Sequence, residues 1–167
     1  MIDLSKITPD NIRALSWKQP YGMLMLPPFN KIETRSWDTQ WRGYVLMCAS
    51  KKDYSITTVE SISGEKQTAR IIKILTEKVI EHELKTGQTR TDIEKEIFHN
   101  GHAIAVGRLV NSEYMLKDHE QRAYVEHHYY LWSHIYEDVT PIQPFPFKGS
   151  LGFKKLTTED IAKIKLL

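Results

Sequence analysis

The chain has 167 residues, 41% of them hydrophobic and 26% charged, with a formal net charge of only +2. That length suits one ordinary hydrophobic core, so a single domain over residues 1–167 is expected. No apolar run of about 18 residues occurs, and Met1-Ile2-Asp3-Leu4-Ser5-Lys6 lacks the basic and apolar stretches of a leader, so a cytoplasmic protein with no membrane partner is expected.

The first informative segment is Ser16-Trp17-Lys18-Gln19-Pro20-Tyr21-Gly22, followed by Glu33-Thr34-Arg35-Ser36-Trp37 and Trp41-Arg42-Gly43. It places aromatic faces beside Lys, Arg and a carboxylate, the mixture that holds a planar polar ligand or a nucleotide. Pro20 reads as the first position of a short helix through Leu26, stopped by Pro27-Pro28. Trp17-Lys18-Gln19 would then stand at its positive end. Lys31 to Trp37 alternates as a strand, with Lys31, Glu33, Arg35 and Trp37 on one face and Ile32, Thr34 and Ser36 on the other. That face reads either as a ligand surface or as an ordinary solvated Glu33–Arg35 pair.

Gly43 to Ser50 is a continuous apolar run, a buried strand with Cys48 in the core. As the lone cysteine, Cys48 permits no intrachain disulfide and no cysteine-based zinc site. The period then changes to 3.6: Ile71, Ile72, Ile74, Leu75 and Val79 mark a helix from about Glu65 to Lys85, ended by Gly87. Thr91-x-x-Glu94 signals a second helix, stopped at Asn100-Gly101. Residues 64–101 read as a helical insertion covering one side of a sheet.

His102 to Val110 is again strand-like, with Gly107 marking a bulge or a close backbone approach. Asp118 to Val125 reads as a short helix capped by Asp118. Tyr129 to Tyr136 alternates, placing Tyr130, Trp132, His134 and Tyr136 in one row, either a stacking platform or core. An extended Pro141 to Gly149 stretch leads to a last strand, Leu151 to Leu156, and a Thr-capped helix from Thr157.

Charge is unevenly spread: residues 1–52 hold eight Lys/Arg against four acids, residues 53–101 seven against nine, and the remainder eight against eight. The excess sits with the tryptophans and reads either as an anionic-ligand surface or as the chance scatter of a small charge imbalance. His99 and His102, and the adjacent His127-His128, lack ligands at metal spacing, and no nucleotide-loop, dinucleotide or hydrolase motif is present. No metal and no cofactor are expected.

Five segments together resemble the ASCH (activating signal cointegrator homology) domain: Ser16-Trp17-Lys18-Gln19-Pro20-Tyr21; Glu33-Thr34-Arg35-Ser36-Trp37; Trp41 to Leu46 with Ala49-Ser50-Lys51; Ala103 to Gly107; and Pro144 to Gly152. They occur in the family's order, from about Ile12 to Leu156. The resemblance implies an α+β fold, a small PUA-like β-barrel of five or six strands with a short helix after the first strand and inserted or peripheral helices. It also implies a cleft lined by that helix and the Glu-x-Arg strand. Family members are thought to bind RNA or coactivator complexes, and relatives of the fold hydrolyse N4-acetylated cytidine or cleave RNA. In the pattern G-x-K-x-x-E-x-R the Glu falls on Glu33 and the Arg on Arg35, whereas Pro28 and Asn30 replace the Gly and the Lys. In the amidohydrolase relatives a nucleophilic threonine stands where Glu33 stands.

Two functional readings follow, of different kinds. In the first, Trp17, Lys18, Gln19, Glu33, Arg35 and Trp37 hold a base or phosphate of RNA or another nucleotide-containing ligand, without chemistry. In the second, Lys18 and Glu33 are the catalytic pair of a small hydrolase acting on a modified pyrimidine nucleoside or on RNA, Lys18 serving as base. A third reading, a protein-interaction module built on exposed aromatics, names no particular protein partner.

Overall fold

The computed structural model describes residues 2–29 and 31–167, and Asn30, which replaces the family lysine, lies outside the described residues. The strands are β1 (Ile12–Trp17), β2 (Ile32–Arg35), β3 (Gly43–Ala49), β4 (His102–Tyr114), β5 (Trp132–Pro146) and β6 (Lys154–Lys155), in the order β2-β5-β4-β3-β1-β6. The helices are α1 (Tyr21–Leu24), α2 (Ile56–Ser63), α3 (Glu65–Thr86), α4 (Arg90–Phe98), α5 (Glu120–Ala123) and α6 (Thr158–Ala162). β1 and β3 run parallel and every other ladder is antiparallel.

Backbone hydrogen bonds do not close this sheet, because β2 and β6 are its edges. Side chains bridge the gap instead. Trp37, just past β2, meets Phe153, just ahead of β6, edge-on at 5.6 Å between ring centres. Arg35 of β2 reaches β1 and donates from Nη2 to the Ser16 carbonyl at 2.7 Å. The curl comes from β4 and β5, whose ladder shifts register at Ala103/Ala105, Val106/Arg108 and Leu109/Asn111. Each bulge bends the strand and increases its twist. Gly107 lies at the middle shift and is also a close approach: a Cβ there would stand 2.6 Å from Met47 Cε. Strand alternation separates two cores. Leu15, Trp17, Val45 and Met47 point to one face, with Val59, Ile71, Leu75 and Phe98 of the helices packed among them, while Ile12, Ala14, Leu46 and Cys48 point to the other. Burial pushes the Cys48 thiol up to about 12.

α3 ends at Gly87, whose φ of +67° is left-handed, as the sequence predicts. Other boundaries differ for local reasons. α2 escapes a pattern reading because Ile56-Thr57-Thr58-Val59 is β-branched, yet Ser55 Oγ caps it by accepting from Thr58 N at 3.2 Å. α4 starts from Thr89, whose hydroxyl donates to Asp92, two residues ahead of the expected Thr91/Glu94 box. Asp118 lies inside a 3-10 turn, Lys117–His119, and the ring of His119 accepts from Leu116 N in the capping role. Pro20 precedes α1 as its cap residue, Ile72 is partly exposed rather than core, and β6 is shorter than the expected Leu151–Leu156 strand.

Candidate functional site

Glu33 and Arg35 alternate onto the face of β2 that looks inward, toward Trp17 of β1 and Tyr136 of β5. The carboxylate and guanidinium form an ion pair of 3.0 Å, both side chains about 15% exposed or less. The guanidinium is 5.6 Å from the Trp17 ring centre and 6.0 Å from that of Trp37, and is anchored on the Ser16 carbonyl. The pair is therefore buried between aromatic rings rather than solvated. Burial pushes the Glu33 carboxyl above the ordinary range, and the Arg35 charge opposes this only in part. The Trp17 indole N–H lies near enough to favour the charged carboxylate but makes no well-formed hydrogen bond, and the Tyr136 hydroxyl is likewise buried without a partner. Burial raises the Tyr136 hydroxyl strongly, and that of neighbouring Tyr21 up to about 12.

His134 sits beside this cluster on β5, cross-strand from Glu33, and donates from Nε2 to the Trp37 carbonyl at 3.0 Å. Burial lowers it to about 4, so the neutral ring is the resting form.

The six site residues expected from the sequence divide into three groups. Trp17, Glu33, Arg35 and Trp37 are brought together. Trp17 is fully buried, however, and Trp37 packs edge-on against His134 and Phe153, so both are walls rather than free stacking faces. Gln19 turns away: Nε2 donates to the Phe98 carbonyl and Oε1 accepts from Met23 N at 3.2 Å, so both ends are used in tying α1 to the end of α4. Lys18 is exposed, and Glu33 faces Arg35 rather than Lys18.

Two surface cavities stand out. The larger, about 360 Å³, is lined by Met25, Pro27, Pro28, Phe29 and Val139 with one cation, Lys31, and one acid, Asp138. The smaller, about 200 Å³, is lined by Ser16, Ser50, Lys51, Lys148 and Ser150 together with the apolar Ala49, Phe147 and Leu151 and two glycines, with no acid in its walls. Lys51 and Lys148 form no ion pair among the described residues. A groove with two free ammonium groups and no carboxylate suits an anion; the larger cavity, with balanced charges, does not. Ser16 N donates to the Ser150 carbonyl at 2.9 Å, and Ser16 O receives Arg35, so this groove shares a wall with the buried pair. Ser50, Lys51, Lys148 and Ser150 are absent from the sequence-based site. Their signal was present: Ser16, Ala49-Ser50-Lys51 and Phe147-Lys148-Gly149-Ser150-Leu151 are the very segments that carry the ASCH resemblance, and the fold collects them at one spot.

No protein-family model matches the chain, and no curated protein does. The structure is similar to the crystal structure of a serine-to-alanine mutant of the ASCH protein from Zymomonas mobilis, with a TM-score of 0.54 and 10% sequence identity. The likeness covers 94% of this chain and 96% of that one. The chain shares the α+β fold of that ASCH protein, and among the described residues no helix is long and apolar enough to cross a membrane.

Proposed function

We propose that the protein is an ASCH-fold module that binds RNA or another nucleotide-containing ligand, without a chemical step, at the junction of the lysine groove and the Glu33/Arg35 pair. The groove carries this reading: about 200 Å³, two lysines that form no ion pair among the described residues, three serines and no acid. Lys51 and Lys148 neutralise phosphate, Ser50 and Ser150 supply hydroxyl donors, and exposed Lys18 adds charge nearby. Arg35 and Glu33 act from behind the wall, holding Ser16 and hence the groove's shape. Trp17, Gln19 and Trp37 serve the same end by fixing β1, α1 and the edge of β2. The hydrolase alternative needs Lys18 and Glu33 to meet, and the Glu33 carboxylate is engaged by Arg35 instead. A cytoplasmic location and a single domain over residues 1–167, with residues 64–101 as its helical insertion, fit this reading.

The test is titration of a fluorescently labelled single-stranded RNA with the purified protein, the same RNA and N4-acetylcytidine being followed for product. Saturable binding with no product is expected. Turnover of either compound that disappears in Lys18→Ala would replace this reading with the hydrolase.

A further inference from the structure

The edge strand β6 brings a further ammonium to the lysine groove. In the β1–β6 ladder Lys154 is paired with Ala14, and Ser16, two residues along β1, lies on the same face of that strand. Lys154 therefore projects on the side of the sheet where Ser16 lines the groove and where Cys48, paired with Ser16, is buried. Two contacts fix it to the groove wall: Nζ donates to the Lys148 carbonyl at 3.2 Å and stands 5.0 Å from the centre of the Phe147 ring. Cys48 registers the same charge. Burial raises its thiol and Lys154 draws it part of the way back, while Gly149 of the groove runs so close over Cys48 that a Cβ there would stand 3.0 Å from the cysteine Cβ. Lys154 is exposed and forms no ion pair among the described residues. Asp160 feels its charge, but that carboxylate is held first by the Thr157 cap and by Lys163.

We propose that Lys154 is a third phosphate-binding cation of the groove, meeting the backbone of a single-stranded RNA whose phosphates also contact Lys51 and Lys148. This deepens the nucleic-acid reading of the groove and rests on it. An ammonium carries three donors, and the Lys148 carbonyl uses one, so two remain for phosphate oxygens. Because the carbonyl and the ring already hold the side chain in place, it has less freedom to lose on binding than an untethered lysine. A clamp that only ties β6 to the groove wall would need the donor but not the charge, and that difference separates the two roles.

A labelled single-stranded RNA of mixed sequence is titrated over a series of salt concentrations with the unaltered protein, Lys154→Gln, Lys154→Arg and Lys148→Gln. Glutamine keeps an N–H for the Lys148 carbonyl and removes the charge. It is expected to lower the slope of log affinity against log salt by about 0.7, a roughly 5-fold loss of affinity at about 0.1 M salt, with the urea midpoint unchanged. Lys154→Arg restores the slope. Should Lys154→Gln keep the slope of the unaltered protein while Lys148→Gln lowers it, Lys154 is a clamp, the proposal is overturned and the groove stands. RNA that does not bind the unaltered protein at all would overturn both.

Discussion

Arg35→Met is expected to destabilise the protein by about 3–5 kcal/mol, because removing one partner of a buried pair leaves the other charge without compensation. Here the survivor is Glu33, walled in by Trp17 and Tyr136, and the Ser16 carbonyl loses its donor as well. The change should appear as a lower urea midpoint with an unchanged denaturant slope. Glu33→Gln should cost less, since Arg35 keeps the Ser16 carbonyl and both tryptophan faces. The double change Glu33→Leu/Arg35→Met should recover part of the loss, as a neutral filling removes the orphaned charge. The pH dependence has a definite sign. A carboxyl whose folded pKa is raised binds a proton more readily in the native state, so stability is regained as pH falls through that value. In Arg35→Met that gain should be larger than in the parent, since the opposing charge is gone. A loss below about 1 kcal/mol would place the pair among the solvent-screened kind.

Gln19→Ala should cost about 2–4 kcal/mol, because it strands two buried backbone groups, each worth roughly 1–3 kcal/mol. These are Met23 N, at the start of α1, and the Phe98 carbonyl, at the end of α4. Because the side chain of Gln19 points into the protein, the RNA affinity of the fraction that remains folded should change less than twofold. Thermal unfolding followed by RNA titration at a permissive temperature separates the two effects. A large affinity loss with no loss of stability would return Gln19 to the ligand-contacting role that its neighbourhood in the sequence suggests.

Much of the fold is visible from short-range pattern. The β3 run and the 3.6-residue repeat of α3 with its Gly87 stop are decided by neighbours within one or two turns, and Thr157 with Asp160 forms a reciprocal cap over four residues. α2 is hidden for the same reason, because its β-branched start argues locally for strand and only packing of Val59 into the core makes it helix. The site is legible in part. Alternation along β2 puts Glu33, Arg35 and Trp37 together, but whether that face is solvated or enclosed depends on the curl of β4 and β5, which is set by bulges spread over residues 103–111. The same curl buries Trp17. Gln19 could not be assigned from sequence, since its partner Phe98 lies 79 residues away.

Salt-dependent binding of single-stranded RNA to the unaltered protein and to Lys51→Gln/Lys148→Gln is the most direct measurement. For single strands each phosphate neutralised contributes about 0.7 to the slope of log affinity against log salt. With Lys51 and Lys148 both lining the groove, the double variant should lose about 1.4 from that slope, together with most of its affinity at low salt, while its urea midpoint stays unchanged. An identical slope and affinity in the two proteins would contradict the groove as the place where the ligand's phosphates are held.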